Sequence, residues 1–315
     1  MKILYSSDNN YSKIMYASLN SLLETNKNNK NIKIYIIDNE ISHEMKEKIN
    51  NLISMYKRQV NYISCKKICN DLVKKNDFPI SAYARLFIQD EIDSDKVIYL
   101  DCDTIVKEDL KSLWDIDLED NYVGGVIDPL PLYLKKAIGM SIDDEYINSG
   151  VMLINLKKWR EINFRKKTID FIEKHNYDVV HHDQGIINGI SKGYILYIHP
   201  KYNLMPEYIY LNSDQLKKLY NQKNGYNQRQ INEANDKPVI IHYIRKFYNR
   251  PWFLECTHPY KNDFLQYYYN ISNELKSNPL KKNVKIRKFV YDHLPFTFYV
   301  LLEKFLDKRR INKNR

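Results

Sequence analysis

Val97-Ile-Tyr-Leu-Asp-Cys-Asp-Thr-Ile-Val106 sets a β-favouring apolar run against two carboxylates. Polar residues 93–96 precede it, so the run is expected to be a buried strand that crosses a core and emerges at its far end. In extended backbone alternate side chains share a face. That would point Asp101 and Asp103 together into the crevice where α/β sheets bind ligands. Two hard oxygen ligands there suit Mg²⁺ or Mn²⁺ and, through the ion, a diphosphate; the competing reading is a plain strand-end turn. Two other Asp-x-Asp triplets, Asp93/Asp95 and Asp115/Asp117, follow no apolar run and read as solvated surface pairs.

Upstream of this stretch, residues 2–5, 32–37 and 60–63 are also strand-like, and helical spacing of apolar residues separates them. Ile14, Leu19 and Leu22 mark the first helix, and Met45, Ile49 and Leu52 mark the second. Strand, helix, strand, helix, strand is the rhythm of a parallel sheet with right-handed crossovers. Its loops, beginning with residues 6–10, are expected to line the same crevice as the acidic pair. A mostly apolar helix between Pro79 and Gln89 carries one cation, Arg85, whose partner is either the neighbouring carboxylates or a ligand phosphate.

Downstream, residues 122–127 form a strand ending at Asp128, residues 151–155 another strand led in by Asn148-Ser149-Gly150, and residues 157–175 one helix. His181 and His182 read as surface residues or a cap, and Asp183 and Gln184 as helix-start residues with an N-cap role by default. Residues 211–236 are polar and low in complexity, which suggests an exposed insertion with some helix. Strand 238–241 places His242 at its exit, as a third candidate ligand beside the acidic pair. Arg245, Lys246 and Arg250 follow in one loop, where a diphosphate would need cations.

The chain has 315 residues, 43% of them hydrophobic, enough for one large or two smaller α/β domains. It contains no Gly-x-Gly-x-x-Gly and no P-loop, so carboxylates and a metal must hold any nucleotide phosphates. Cys65, Cys69, Cys102 and Cys256 form no disulfide framework, and with no signal-like start and no apolar run of membrane-spanning length, a cytoplasmic protein is expected. Net charge is +10, yet residues 281–315 hold 11 basic and 3 acidic residues, so the body is near neutral and no nucleic-acid partner is expected. Residues 289–306 interleave aromatic and aliphatic side chains between basic clusters. An anionic membrane surface, the inner face of the plasma membrane, is the expected partner, against an ordinary packed C-terminal helix. Abundant Asn, Lys, Ile and Tyr point to an AT-rich bacterial gene.

Asp101-Cys102-Asp103, the Ser81-Ala-Tyr-Ala-Arg-Leu86 segment, Tyr146-Ile-Asn-Ser-Gly-Val-Met-Leu-Ile-Asn-Leu156, Asp183-Gln184-Gly185 and His242 with Pro251-Trp252 occur in this order. Over roughly residues 1–260 the chain resembles glycosyltransferase family 8, closest to the bacterial lipooligosaccharide α-galactosyltransferase and glucosyltransferase type. The resemblance implies a GT-A fold, a single Rossmann-like mixed sheet flanked by helices, with 261–315 as a helical basic tail. It also implies a UDP-sugar donor, a saccharide or lipid-linked acceptor, Mn²⁺ (or Mg²⁺), and transfer with retention. By the same likeness Asp101, Asp103 and His242 ligate the metal. Ser6, Asp8, Asn10, Arg85, Cys102 and Arg250 join the acidic pair around the donor nucleotide. Asp128, Asn148, Asp183 and Gln184 surround the reacting sugar. The family's last motif, His-x-x-Gly-x-x-Lys-Pro-Trp, is altered here: the gap is two residues longer, the glycine is missing and Arg250 replaces lysine. A catalytically idle nucleotide-sugar or glycan-binding protein on the same fold is the alternative.

Overall fold

The computed structural model describes residues 1–70, 72, 80–246 and 248–313. Pro79 at the start of the expected Arg85 helix, Phe247 in the loop after His242, and the last two residues of the tail lie outside the described residues.

Strands β1 (Lys2–Asp8), β2 (Lys33–Asn39) and β3 (Gln59–Ser64) alternate with the helices Ser12–Thr25 and His43–Met55, as the apolar spacing predicts. With β4 (Lys96–Leu100) they form the parallel half of a seven-stranded sheet. The acidic stretch does not continue as one strand. The backbone turns at Asp101–Asp103, where the Thr104 hydroxyl donates to the Asp101 carbonyl at 2.8 Å. Thr104–Val106 leaves as β5 to build a second, two-stranded sheet. The chain then adds β6 (Val123–Ile127), β7 (Ile147–Asn155), β8 (Ile195–Tyr197) and β9 (Ile240–His242). The large sheet has the order β3-β2-β1-β4-β7-β6-β8, with β7 antiparallel to both its neighbours, and β9 pairs antiparallel with β5 so that His242 stands opposite Thr104. The architecture is the expected α/β fold with a mixed sheet flanked by helices.

Successive residues of the central strands feed opposite faces. Ile3, Tyr5, Ile98 and Leu100 join one apolar cluster, and Leu4, Val97 and Tyr99 join the other. Helices cover both, which is why these strands read as unbroken apolar runs rather than alternating ones.

Four local expectations change. Asn148-Ser149-Gly150 lies inside β7, not before it, because its backbone pairs within the sheet while its side chains serve the crevice. The expected helix 157–175 breaks at Asn163, whose left-handed φ of 50° and side-chain bond to the Lys166 amide cap a second helix, Phe164–Lys174. Residues 211–236 are not an exposed insertion. Two helices, Ser213–Tyr220 and Gln228–Asp236, each open with a reciprocal Asn/Gln capping box and bury Leu216, Ile231 and Ala234. Between them the buried Tyr226 hydroxyl donates to the Ile198 carbonyl and accepts from the Ile127 amide, tying the segment to the sheet. In the tail, Pro295 ends one helix and starts the next, because it has no amide hydrogen to continue the first. The result is a hairpin of Lys282–His293 and Phe296–Lys313. Arg287 forks onto Glu303 across the hairpin, and the Tyr291 hydroxyl donates to the Tyr210 carbonyl of the body. Ahead of it, the helix Lys261–Tyr268 sets Phe264 and Leu265 into the main core.

Candidate active site

The turn between β4 and β5 brings Asp101 and Asp103 to the same place that β9 brings His242. One ligand atom from each lies within 4.8 Å of the others. His242 Nε2 is 3.3 Å from Asp103 Oδ1 and 3.8 Å from Asp101 Oδ2. The convergence comes from a turn joining two sheets, not from strand alternation as the sequence suggested. The Cys102 thiol lies between the carboxylates in sequence and donates to the Ser6 carbonyl at 3.1 Å, fastening this turn to the end of β1.

Close approach here requires a glycine. A Cβ on Gly150 would stand 2.1 Å from His242 Cε1 and 2.8 Å from Asp101 Oδ2. The imidazole is oriented from behind by Asn203, whose Oδ1 is 3.0 Å from Nδ1 and whose Nδ2 donates to Asn148 Oδ1 at 2.9 Å. Neither role is legible in the sequence: Gly150 sits inside a motif that gives it no separate task, and Asn203 follows no recognisable pattern. Burial opposes a charge on His242, but Asp103 and Asp101 outweigh it and raise its pKa; burial likewise opposes the Asp103 charge, and His242 and Arg250 lower its pKa. A buried imidazole and two carboxylates that together attract a proton form a donor set that also suits a divalent cation, with Asn203 supplying the outer-shell contact such a histidine needs.

The expected helix before Gln89 is present as Ile80–Tyr83 and runs directly into a 3-10 turn, Ala84–Phe87, that carries Arg85. Its guanidinium reaches Asp101 Oδ1 at 3.0 Å and Asp183 Oδ2 at 3.3 Å and lies over the Tyr99 ring at 4.2 Å. Burial works against its charge, and Asp183, Tyr99 and Asp101 more than compensate, raising its pKa. Both carboxylates are therefore its partners in the fold. Arg250 contacts Asp103 Oδ2 at 3.3 Å and the Tyr11 hydroxyl at 2.6 Å. Lys246, in the same loop, turns away from this cluster onto Glu207 and Tyr220. A pocket of about 380 Å³ opens here, lined by Ser6, Asp8, Tyr11, Arg85, Arg250 and the Asp101–Asp103 turn, among others. Asn10 is outside it, exposed along an adjoining groove of about 540 Å³ that also reaches Tyr11 and Arg250. Asp8 also accepts the Tyr11 amide at the start of the following helix. A larger groove of about 780 Å³, between Glu108 and Val239, holds none of these residues.

Along the start of β7 the remaining candidates meet. Gln184 Oε1 accepts from the Ser149 amide at 3.0 Å and Asn148 Nδ2 at 3.2 Å, while its Nε2 donates to Asp128 Oδ2 at 3.1 Å. Asn148 Nδ2 also donates to that Asp128 oxygen at 3.2 Å. Burial, then the nearby Glu207 carboxylate, push the Asp128 pKa up to about 6. Asp183 is not a helix cap. It is buried in the first turn of the helix His182–Ile190, where it accepts from Ser149 Oγ and pairs with Arg85, and burial raises its pKa despite that arginine. His181 and His182 are exposed with left-handed φ values of 59° and 50°, and neither joins the cluster. All four cysteines are buried and none forms a disulfide.

The profile described as Glycosyl transferase family 8 matches residues 2–256. A lipopolysaccharide 1,2-glucosyltransferase from Escherichia coli is 31% identical over 315 residues, spanning 95% of this chain and 86% of that protein. A putative glycosyltransferase from Haemophilus influenzae is 32% identical over 82% of this chain and 74% of its own length. Among solved structures, the galactosyltransferase LgtC in complex with donor and acceptor sugar analogues superposes with a TM-score of 0.69 at 26% identity, covering 90% of this chain and 99% of that one.

Proposed function

Because the chain belongs to glycosyltransferase family 8, we propose that it moves a hexose, glucose or galactose, from a UDP-sugar to a saccharide or glycolipid acceptor of the bacterial surface, with retention of anomeric configuration. The observation that carries this reading is the convergence of Asp101, Asp103 and His242 beside a polar pocket edged by Arg85 and Arg250. These three residues hold Mn²⁺ or Mg²⁺, which when bound supplies positive charge to the diphosphate oxygens.

Ser6, Asp8 and Cys102 edge the nucleotide end of the pocket, with Asn10 at its outer rim. Arg85, fixed between Asp101 and Asp183, keeps both carboxylates in place. Arg250 supplies the loop's cation to the departing diphosphate in place of the family's lysine, and charge stabilisation of that leaving group lowers the barrier to breaking the anomeric bond. Asp128 and Asn148 hold Gln184 by both ends of its amide, which fixes it against the sugar. A double displacement would need a free carboxylate nucleophile. Gln184 is a poor nucleophile and Asp183 is engaged by Arg85 and Ser149. We therefore favour front-face transfer, in which the acceptor hydroxyl forms the new bond on the side the UDP leaves and a diphosphate oxygen takes its proton. A covalent sugar trapped on Asp183 in Gln184→Ala, seen by mass spectrometry, would overturn that route.

Residues 1–260 carry the chemistry and 261–315 attach the enzyme to the inner face of the plasma membrane. The test is metal-dependent UDP release from UDP-glucose, UDP-galactose and their N-acetyl forms. Release that disappears in Asp103→Asn supports the transferase, and no release from any donor leaves the idle binder.

A further inference from the structure

Another cavity, of about 170 Å³, lies where the C-terminal hairpin meets the body. Its near wall starts at Pro129, one peptide bond beyond Asp128, and continues through Pro131 and Tyr133. Its far wall is the inward face of the helix Phe296–Lys313, which presents Glu303 and Asp307. Tyr220 and Lys246 close one side, and Lys246 comes from the loop that follows His242. The cavity shares no lining residue with the nucleotide pocket, and through Pro129 it adjoins Asp128, which the proposed function sets against the reacting sugar.

All but one of its charged groups are matched in pairs, the exception being Lys304 at its exposed rim. Arg287 uses Nε and Nη2 on Glu303, Arg310 pairs with Asp307 at 2.9 Å, and Lys246 pairs with Glu207. An anion such as phosphate would meet only the exposed Lys304 or would have to break a pair, leaving a partly buried carboxylate without its cation. A neutral, hydroxyl-rich ring would not, because guanidinium–carboxylate forks still offer donors and acceptors side by side, and the proline and tyrosine faces suit its C–H surface. The volume is about that of one pyranose ring. We infer that this cavity holds the second sugar of the acceptor, the unit adjoining the one that receives the hexose, so that the C-terminal hairpin forms part of the acceptor site.

This inference rests on the proposed transferase activity, and the experiment separates the two. The full chain is first assayed for Mn²⁺-dependent UDP release from UDP-glucose and UDP-galactose without acceptor. Absence of any release sinks the transferase reading and this inference with it. Transfer is then compared between methyl glucoside and methyl galactoside on one hand and maltose, cellobiose and lactose on the other. The expected result is a KM at least about tenfold lower for one of the disaccharides. Tyr133→Ala, which removes one face of the cavity, and Leu219→Trp, which fills it, are each expected to erase that advantage and leave the monosaccharide KM unmoved. Thermal melts report whether each variant is folded, and either one suffices. Equal KM values for mono- and disaccharides, no transfer to any disaccharide while donor is hydrolysed, or variants that raise both KM values together would each overturn the inference.

Discussion

Gly150 and His242 occupy space that cannot hold both an imidazole and one more methyl group. With a Cβ placed 2.1 Å from His242 Cε1, Gly150→Ala must push the ring off Asp103. Displacing a ligand or its support typically lowers metal affinity by about 10–100-fold. Titrating Mn²⁺ into the variant by calorimetry is expected to give that loss while the far-ultraviolet circular dichroism stays native. An affinity equal to the parent's would remove His242 from the ligand set. Asp128 supplies a second prediction at this scale. Its carboxyl titrates at about 6 in the fold, above an unfolded value of about 3.9. The folded state therefore binds the proton more tightly, and the resulting contribution to stability is complete below about pH 4 and lost as pH rises through 6. Asp128→Asn is expected to raise stability at pH 7.5 by on the order of 2 kcal/mol, with the gain shrinking towards pH 4. Urea titrations at the two pH values measure it, and a gain independent of pH would show that burial of the charge is not the cause. Activity in the parent should fall through a single protonation near pH 6, because two amides, from Asn148 and Gln184, donate to one Asp128 oxygen.

Elements whose identity is local were readable in advance. β1, β2, β3, β4 and the two helices between the first three strands announce themselves through apolar runs and 3.6-residue spacing, and the motif residues Asp101, Asp103 and His242 stand at element ends where chemistry is expected. What the chain does not announce is pairing between distant segments. Nothing near Thr104 says that it will leave the main sheet and meet His242, and nothing near Pro200 says that Asn203 will orient that histidine; both facts exist only once β5 and β9 are side by side. The segment 211–236 misled for a related reason. Its surface is polar and only a few residues are apolar, but Tyr226 carries its attachment through two buried backbone groups. Tyr226→Phe leaves the Ile127 amide and the Ile198 carbonyl without that partner. Each unsatisfied buried group costs about 1–3 kcal/mol. A drop in unfolding free energy of a few kcal/mol by urea denaturation is expected, and a change within about 0.5 kcal/mol would mean that the segment is held by its helices alone.

Across the whole molecule, the helix Phe296–Lys313 packs one side on the body and leaves apolar side chains exposed on the opposite side. Tyr299, Val300 and Glu303 turn inward and are buried, whereas Phe298, Leu301 and Phe305 remain exposed, as do Phe289 and Ile286 on the preceding helix. No helix among the described residues is long and apolar enough to cross a membrane. An exposed apolar strip flanked by Lys285, Lys288, Lys308 and Arg309 suits an interface where rings enter the acyl boundary and basic ends meet anionic headgroups. The full chain is expected to co-sediment with vesicles containing phosphatidylglycerol, to release with rising salt, and to ignore pure phosphatidylcholine. Phe298→Ser combined with Phe305→Ser should weaken binding at least about tenfold, since burying one such ring is worth about 1.5–3 kcal/mol. Equal recovery on both lipids would remove the electrostatic half of this account.

That two-sided helix acts as a ruler. On the proposed membrane attachment its outer flank would rest in lipid while its inner flank bounds the cavity beyond Asp128, which would hold the reaction one helix diameter, about 10–12 Å, from the bilayer surface. Glycans whose growing end lies close to their lipid anchor fall within that reach, and longer ones overshoot it. Lengthening the saccharide between anchor and acceptor sugar should therefore slow transfer on vesicles while leaving the rate on the detached oligosaccharide unaltered.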